Sequence, residues 1–281
     1  MLPLLRYEMR RVFGDRRVWY AVGFVLLLVV LAAVAFHYAP FRGLERMLER
    51  EGLGVRGRLR NGYFLLSRVM MPSFLFFIPA FTAVLTAEQL AGERAAGTLR
   101  TLLVQPVGRL EVYAVKQLVA VLFALLLSAV LAAGGALVGL WWFGRGEVFI
   151  FDMEEIGRPV MGVLTAAEAP VRMLWGALYG AGAVCFVAFM GLALSACMTG
   201  TANAATATVG LYLVSAVLAA VPTVGWLKQW LPATHIGAWR LFLHPVVPVG
   251  QLLRSFLAML GGSVFFFLAG VTVFSVRDLT D

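Results

Sequence analysis

Long runs without a charged residue alternate along this chain with short stretches where charges crowd together. The charge-free runs are 18–41, 69–87, 117–144, 173–227 and 255–276, of 24, 19, 28, 55 and 22 residues. About 20 apolar residues in a helix cross the hydrocarbon of a bilayer. Four runs therefore predict one span each. The 55-residue run predicts two, separated by the polar turn 198-MTGTANA-204. Six spans bring both ends of the chain to one side. Each run is continuously apolar, without the alternation of a membrane strand, and a helix satisfies its own backbone in lipid. The expected fold is all-α: a polytopic membrane protein of six transmembrane helices.

Composition points to the same solvent. Hydrophobic residues make up 61% of the chain, charged residues 14%, and the mean hydropathy is +0.88. A soluble domain holds roughly 45–50% apolar and about 25% charged residues. The run beginning at Val18 is too long for the core of a cleaved signal peptide and follows 17 residues rich in charge.

The polar stretches differ in kind. Within 1–17, Leu2, Leu5, Met9, Val12 and Phe13 recur at helical spacing while Arg6, Arg10 and Arg17 reach for headgroups, the pattern of an interfacial helix. Residues 42–68 form a loop of seven arginines and three glutamates, net +4. Leu44, Met47, Leu48 and Glu51 mark a short amphipathic helix in it, broken by Gly52, Gly54 and Gly57. Such a loop is either solvated or drawn to anionic headgroups or an acidic partner, at about 1 kcal/mol per basic residue near a charged surface. A second polar loop covers 145–172. Pro222, Pro232, Pro245 and Pro248 punctuate 222–250, with Lys228, His235, Arg240 and His244 interspersed. Its apolar pieces are too short to cross, which predicts a broken, re-entrant or interfacial segment before the last span. Pro72 and Pro79 predict kinks in the second span. The run Ala132–Ala136 and the Gly176-x-x-x-Gly180 pair are packing notches, with a dimer contact as the alternative.

Several chemistries lack their residues. The charge-free spans hold no Asp, Glu, Lys or Arg for a proton or ion relay, and no protease or metallohydrolase motif is found. His37, His235 and His244 have no metal-ligand spacing. Cys185 and Cys197 lie about 18 Å apart along one helix, too far to bridge. Lys116 and Lys228 are the only lysines, and neither sits in a phosphate loop. No catalytic, cofactor or metal site is expected in this chain.

One stretch breaks the pattern: 88-EQLAGERAAGTLRTLLVQPVGRLEVYAVKQL-118. Thr86 or a neighbour caps a helix start, and Glu88 and Glu93 suit its early turns. Leu99, Leu102 and Leu103 share a face, and Pro106 ends the element. The expected product is a short helix with an apolar stripe, suited to a groove on another protein.

This segment resembles the permease subunits of ATP-binding-cassette (ABC) transporters of the type-2 exporter family. They carry a motif like Glu-x-x-x-Gly-Glu-Arg-x-x-Gly-Thr-Leu between their second and third spans, then leucines, a proline, a basic residue and a lysine. The matching positions are Glu88, Gly92, Glu93, Arg94, Gly97, Thr98, Leu99, Leu102, Leu103, Pro106, Arg109 and Lys116. The resemblance covers the whole chain, including the basic N-terminal helix and the Arg277-Asp278 tail.

It implies a single transmembrane permease domain over 1–281, with an elbow helix at 1–17, a coupling helix within 88–106 and the broken segment at 222–250. The implied function is to couple ATP hydrolysis on a separate cytosolic ATPase, which holds the ATP and Mg, to export across the cytoplasmic membrane. The implied partners are that ATPase, a second permease chain and membrane lipid, with no nucleic acid. Substrates in the family range over drugs, glycolipids, ions and the maturation of nitrous oxide reductase. The rival reading is a membrane scaffold or assembly factor that recruits an ATPase without transporting. A coupling helix that meets a cytosolic ATPase puts both termini in the cytoplasm. Five arginines in residues 1–17 agree, although the N-terminal side totals ten basic residues against thirteen opposite.

Overall fold

The computed structural model describes residues 2–39, 60–98, 108–153, 159–221 and 225–276. An amphipathic helix α1 (Leu2–Phe13) leads into the first span α2 (Arg16–Tyr38), whose N-cap Asp15 accepts a hydrogen bond from the Arg17 amide at 2.9 Å. The remaining spans are α3 (Gly62–Ala95), α4 (Arg109–Phe143), α5 (Ala169–Cys197), α6 (Thr201–Ala220) and α9 (Val249–Val276). All six are long and apolar enough to cross a membrane. The chain is a multi-pass, all-α membrane protein. The turn between α5 and α6 falls at Met198–Gly200, within the polar stretch that predicted it.

The helices overrun their charge-free windows. The second span begins at Gly62 rather than at residue 69, and the third at Arg109 rather than at 117. Arg68, Glu88 and Glu93 therefore belong to α3, Arg109, Glu111 and Lys116 to α4, Arg172 to α5 and Arg254 to α9. The helices are thus longer than the charge-free runs, because a helix continues past its apolar stretch where its charges find partners. The last part of the predicted 42–68 loop is likewise helix, capped by Asn61 through the Phe64 amide at 3.0 Å. The amphipathic helix expected around Leu44–Glu51 lies outside the described residues.

The core forms where α5 packs on α9, α4 and α3, while α4 packs on α2 and α3. Close approach needs small residues. A Cβ on Gly62 would fall 2.5 Å from the Gly139 carbonyl carbon, so the start of α3 and the end of α4 meet backbone to backbone. The notch of Gly176 and Gly180 is filled from within the chain, by Trp239 and by the Phe74 ring respectively.

The end of the bundle away from α1 is more structured than a polar loop. Residues 145–172 contain an antiparallel hairpin, β1 (Val148–Met153) on β2 (Pro159–Leu164), registered Val148↔Leu164 and Ile150↔Gly162. Val148, Phe149, Ile150 and Leu164 are buried. Beside it, 225–243 folds into α7 (Gly225–Lys228), α8 (Pro232–Gly237) and a 3₁₀ turn at Ala238–Leu243. Ile236 and Trp239 are buried. The Ala233 amide donates to Ser215 Oγ at 3.0 Å, and the His235 ring lies between Gln229 O at 2.8 Å and Ser255 Oγ at 3.1 Å. The segment thus leaves α6 and returns to α9 at one end of the bundle.

Candidate functional site

The lower part of α3 carries the stretch that broke the hydropathy pattern. No new helix starts at Thr86. That residue is buried within α3, its hydroxyl donating to Ala83 O at 2.9 Å, and Glu88 and Glu93 are not in the first turn of a separate helix. The span runs on to Ala95 and stops at Gly97, whose φ of 71° is the left-handed conformation of a helix terminus. Thr98 follows, its hydroxyl donating to Glu93 O at 3.3 Å. Leu99, Leu102, Leu103 and Pro106 lie outside the described residues.

α3 is not a uniform α-helix. Ser73–Phe77 and Glu88–Gly92 are π turns. The first lies between Pro72 and Pro79, where a missing N–H and a crowded ring unsettle the i→i−4 ladder. The second has a different cause. The Ser195 hydroxyl of α5 accepts from the Ala91 amide at 2.9 Å and donates to Ala87 O at 3.1 Å. Those two backbone groups would bond each other in an α-helix, so the hydroxyl is inserted into the ladder, a recognised cause of helix distortion.

Directly below this turn lies a buried ion cluster. Lys116 of α4 is fully buried, Glu8 of α1 is 1% exposed and Glu93 of α3 is 3% exposed. Lys116 Nζ donates to Glu8 Oε1 at 2.8 Å and to Glu93 Oε1. Arg11 also donates to Glu93 and lies 3.5 Å from Glu8. Two cations thus face two carboxylates drawn from three segments. Burial alone would lower the pKa of Arg11, but the hydrogen bond and charge of Glu93, with the charge of Glu8, carry it above its ordinary value. Arg17 pairs with Glu88 farther out, where both side chains reach solvent. Removing one partner from a buried ion pair costs about 3–5 kcal/mol, since a charge is left without compensation.

Arg94 holds the other side. Its guanidinium donates to Met198 O at 3.1 Å and Ala196 O at 3.3 Å, across the end of α5. Arg109 donates to Ser275 O at 2.8 Å, joining the first residue of α4 to the last turn of α9. Gly92 leaves its Cα 's neighbour, the Thr201 hydroxyl of α6, room that a Cβ would occupy at 3.1 Å. Of the residues expected to form a docking surface, Glu93 and Arg94 are spent on contacts within the chain.

Glu8, Arg11 and Ser195 were not expected to take part in this site. Glu8 carries a readable signal: it is the only acid before Asp15, and it falls on the apolar stripe between Leu5 and Val12. Ser195 carries none, being one small polar residue in a long apolar helix.

The arrangement performs no bond chemistry; it makes one rigid joint of the interfacial helix, two spans and the α5–α6 turn. An 87-residue stretch, 31% of this chain, is 34% identical to the uncharacterized protein YhcI of Bacillus subtilis (strain 168), and spans 28% of that protein's length. Residues 2–277 match the family described as ABC-2 family transporter protein. A match over nearly the whole chain, on a protein with six candidate spans, means that this protein belongs to the ABC-2 transporter family.

Proposed function

We propose that the chain is the permease of an ATP-driven exporter that works as two permease chains with two separate cytosolic ATPase subunits. The observation that carries this reading is the joint beneath α3. The second span ends at Ala95, a few residues before the stretch 99–106, and the buried Glu8–Lys116–Glu93 cluster ties it to α1. A push delivered on residues 99–106 would then reach α1, α3 and α4 together instead of bending a free loop. The joint stands on the cytoplasmic side of the cytoplasmic membrane, with both termini. The ATPase binds the ATP and Mg.

The substrate on this reading is amphipathic or lipid-like and crosses at the interface of two permease chains. A scaffold that only recruits an ATPase would need no such linkage. The test is co-reconstitution into proteoliposomes with a candidate ABC ATPase from the same organism. ATP turnover should rise when this subunit is present and fall when the joint is broken. An ATPase rate indifferent to the permease would refute the transporter reading.

A further inference from the structure

A cleft opens between α1, α2 and α3 beside the ion cluster, with a volume of about 110 Å³. Its apolar wall includes Val18, Ala21, Phe81 and Leu85, and its polar rim is Arg11, Asp15, Arg17 and Glu88. Gln89 also lines it, 3% exposed, and neither its Nε2 nor its Oε1 has a hydrogen-bond partner. Leaving a buried amide unpaired is costly, and a side chain that is both donor and acceptor calls for a ligand that is both.

We infer that this cleft binds the headgroup of a zwitterionic aminophospholipid, a phosphate carrying a short primary ammonium arm. The rim presents both charge signs in equal number, which fits neither a purely anionic nor a purely cationic group. Phosphate oxygens accept from the Arg17 N–H groups not engaged by Glu88 and from the Gln89 amide nitrogen. The ammonium donates to Glu88 and to Gln89 Oε1. A cleft of about 110 Å³ holds only the equivalent of a few waters of about 30 Å³ each. It therefore takes the ammonium arm and the phosphate oxygens beside it, while the glycerol and acyl chains stay in the bilayer beside α2 and Phe81. A quaternary choline arm has no N–H to offer and is bulkier, so the site discriminates against it. The site stands on the chain's own geometry and does not depend on a partner ATPase.

The test is native mass spectrometry of the purified full chain after exchange into nanodiscs of equimolar phosphatidylethanolamine, phosphatidylcholine and phosphatidylglycerol. The parent should retain phosphatidylethanolamine at least tenfold over either competitor. Gln89→Leu, which removes both amide contacts, and the milder Glu88→Gln should each abolish that preference. Equal retention of the three lipids by the parent, or an undiminished preference in Glu88→Gln, overturns the assignment. Soluble glycerophosphoethanolamine is the second arm. Full displacement of the lipid by it at low concentration would make the ligand a free metabolite and overturn the lipid source. No displacement is the expected result.

Discussion

Lys116→Met removes the cation at the centre of the joint while keeping an unbranched side chain in the same space. The parent cluster balances Lys116 and Arg11 against Glu8 and Glu93. After the substitution one cation faces two nearly inaccessible carboxylates, and Arg11, 39% exposed in its side chain, shares its charge with water. Breaking a buried pair in this way costs about 3–5 kcal/mol. A second change, Glu8→Gln, restores parity by leaving Arg11 against Glu93 alone. The double variant should therefore be more stable than Lys116→Met, with an interaction energy of about 0.5–3 kcal/mol. Unfolding by sodium dodecyl sulfate in mixed micelles, followed by tryptophan fluorescence, measures all four corners of the cycle. Single effects that add to within about 0.5 kcal/mol would show that Lys116 and Glu8 do not act as a pair. The electrostatic account of the joint would then fail.

Ser195→Ala takes away the hydroxyl between Ala87 O and the Ala91 amide; letting that pair close swings Glu93 away from Lys116 and Arg11 and should cost about 3–5 kcal/mol, and an experimental map retaining the π turn would contradict this. Gly62→Val forces a side chain into the Gly139 backbone and should destabilise by about 1–3 kcal/mol, read in the same unfolding assay. Leu102→Asp should release the ATPase, since truncating a buried interface anchor costs about 2 kcal/mol or more; a co-purification yield equal to the parent's refutes the docking face. Gly57→Cys should label with a membrane-impermeant maleimide on intact cells, and labelling only from the cytoplasmic side would reverse the orientation.

Six spans and the α5–α6 turn were legible in the sequence because lipid leaves few choices. A charge-free run of the right length has little alternative to a helix, and its polar breaks mark the turns. The span ends were less legible. Hydropathy follows the hydrocarbon, whereas the backbone of α3 continues for as long as Glu88 and Glu93 find Arg17, Arg11 and Lys116. The hairpin at 148–164 was hidden inside a loop because Val148–Phe151 is too short a run to separate from helix by periodicity. At the site, Glu93 and Arg94 were visible as a motif, but their partners are distant in the chain. Arg11 is 82 residues from Glu93, and Met198 is 104 from Arg94. Nothing local announces a pairing over that span.

The two π turns set the angular phase of α3. A π turn accommodates one extra residue, and at 3.6 residues per turn each extra residue rotates everything below it by about 100°. Two of them above Glu93 add up to about 200°. An uninterrupted α-helix grown from Gly62 would aim residue 93 to nearly the opposite side, away from Lys116 and Glu8. The second span therefore behaves like a cam whose setting depends on a single hydroxyl on a neighbouring helix. Closing the Ala87–Ala91 gap would turn the charged base of the span by a quarter of a revolution or more without moving its upper half.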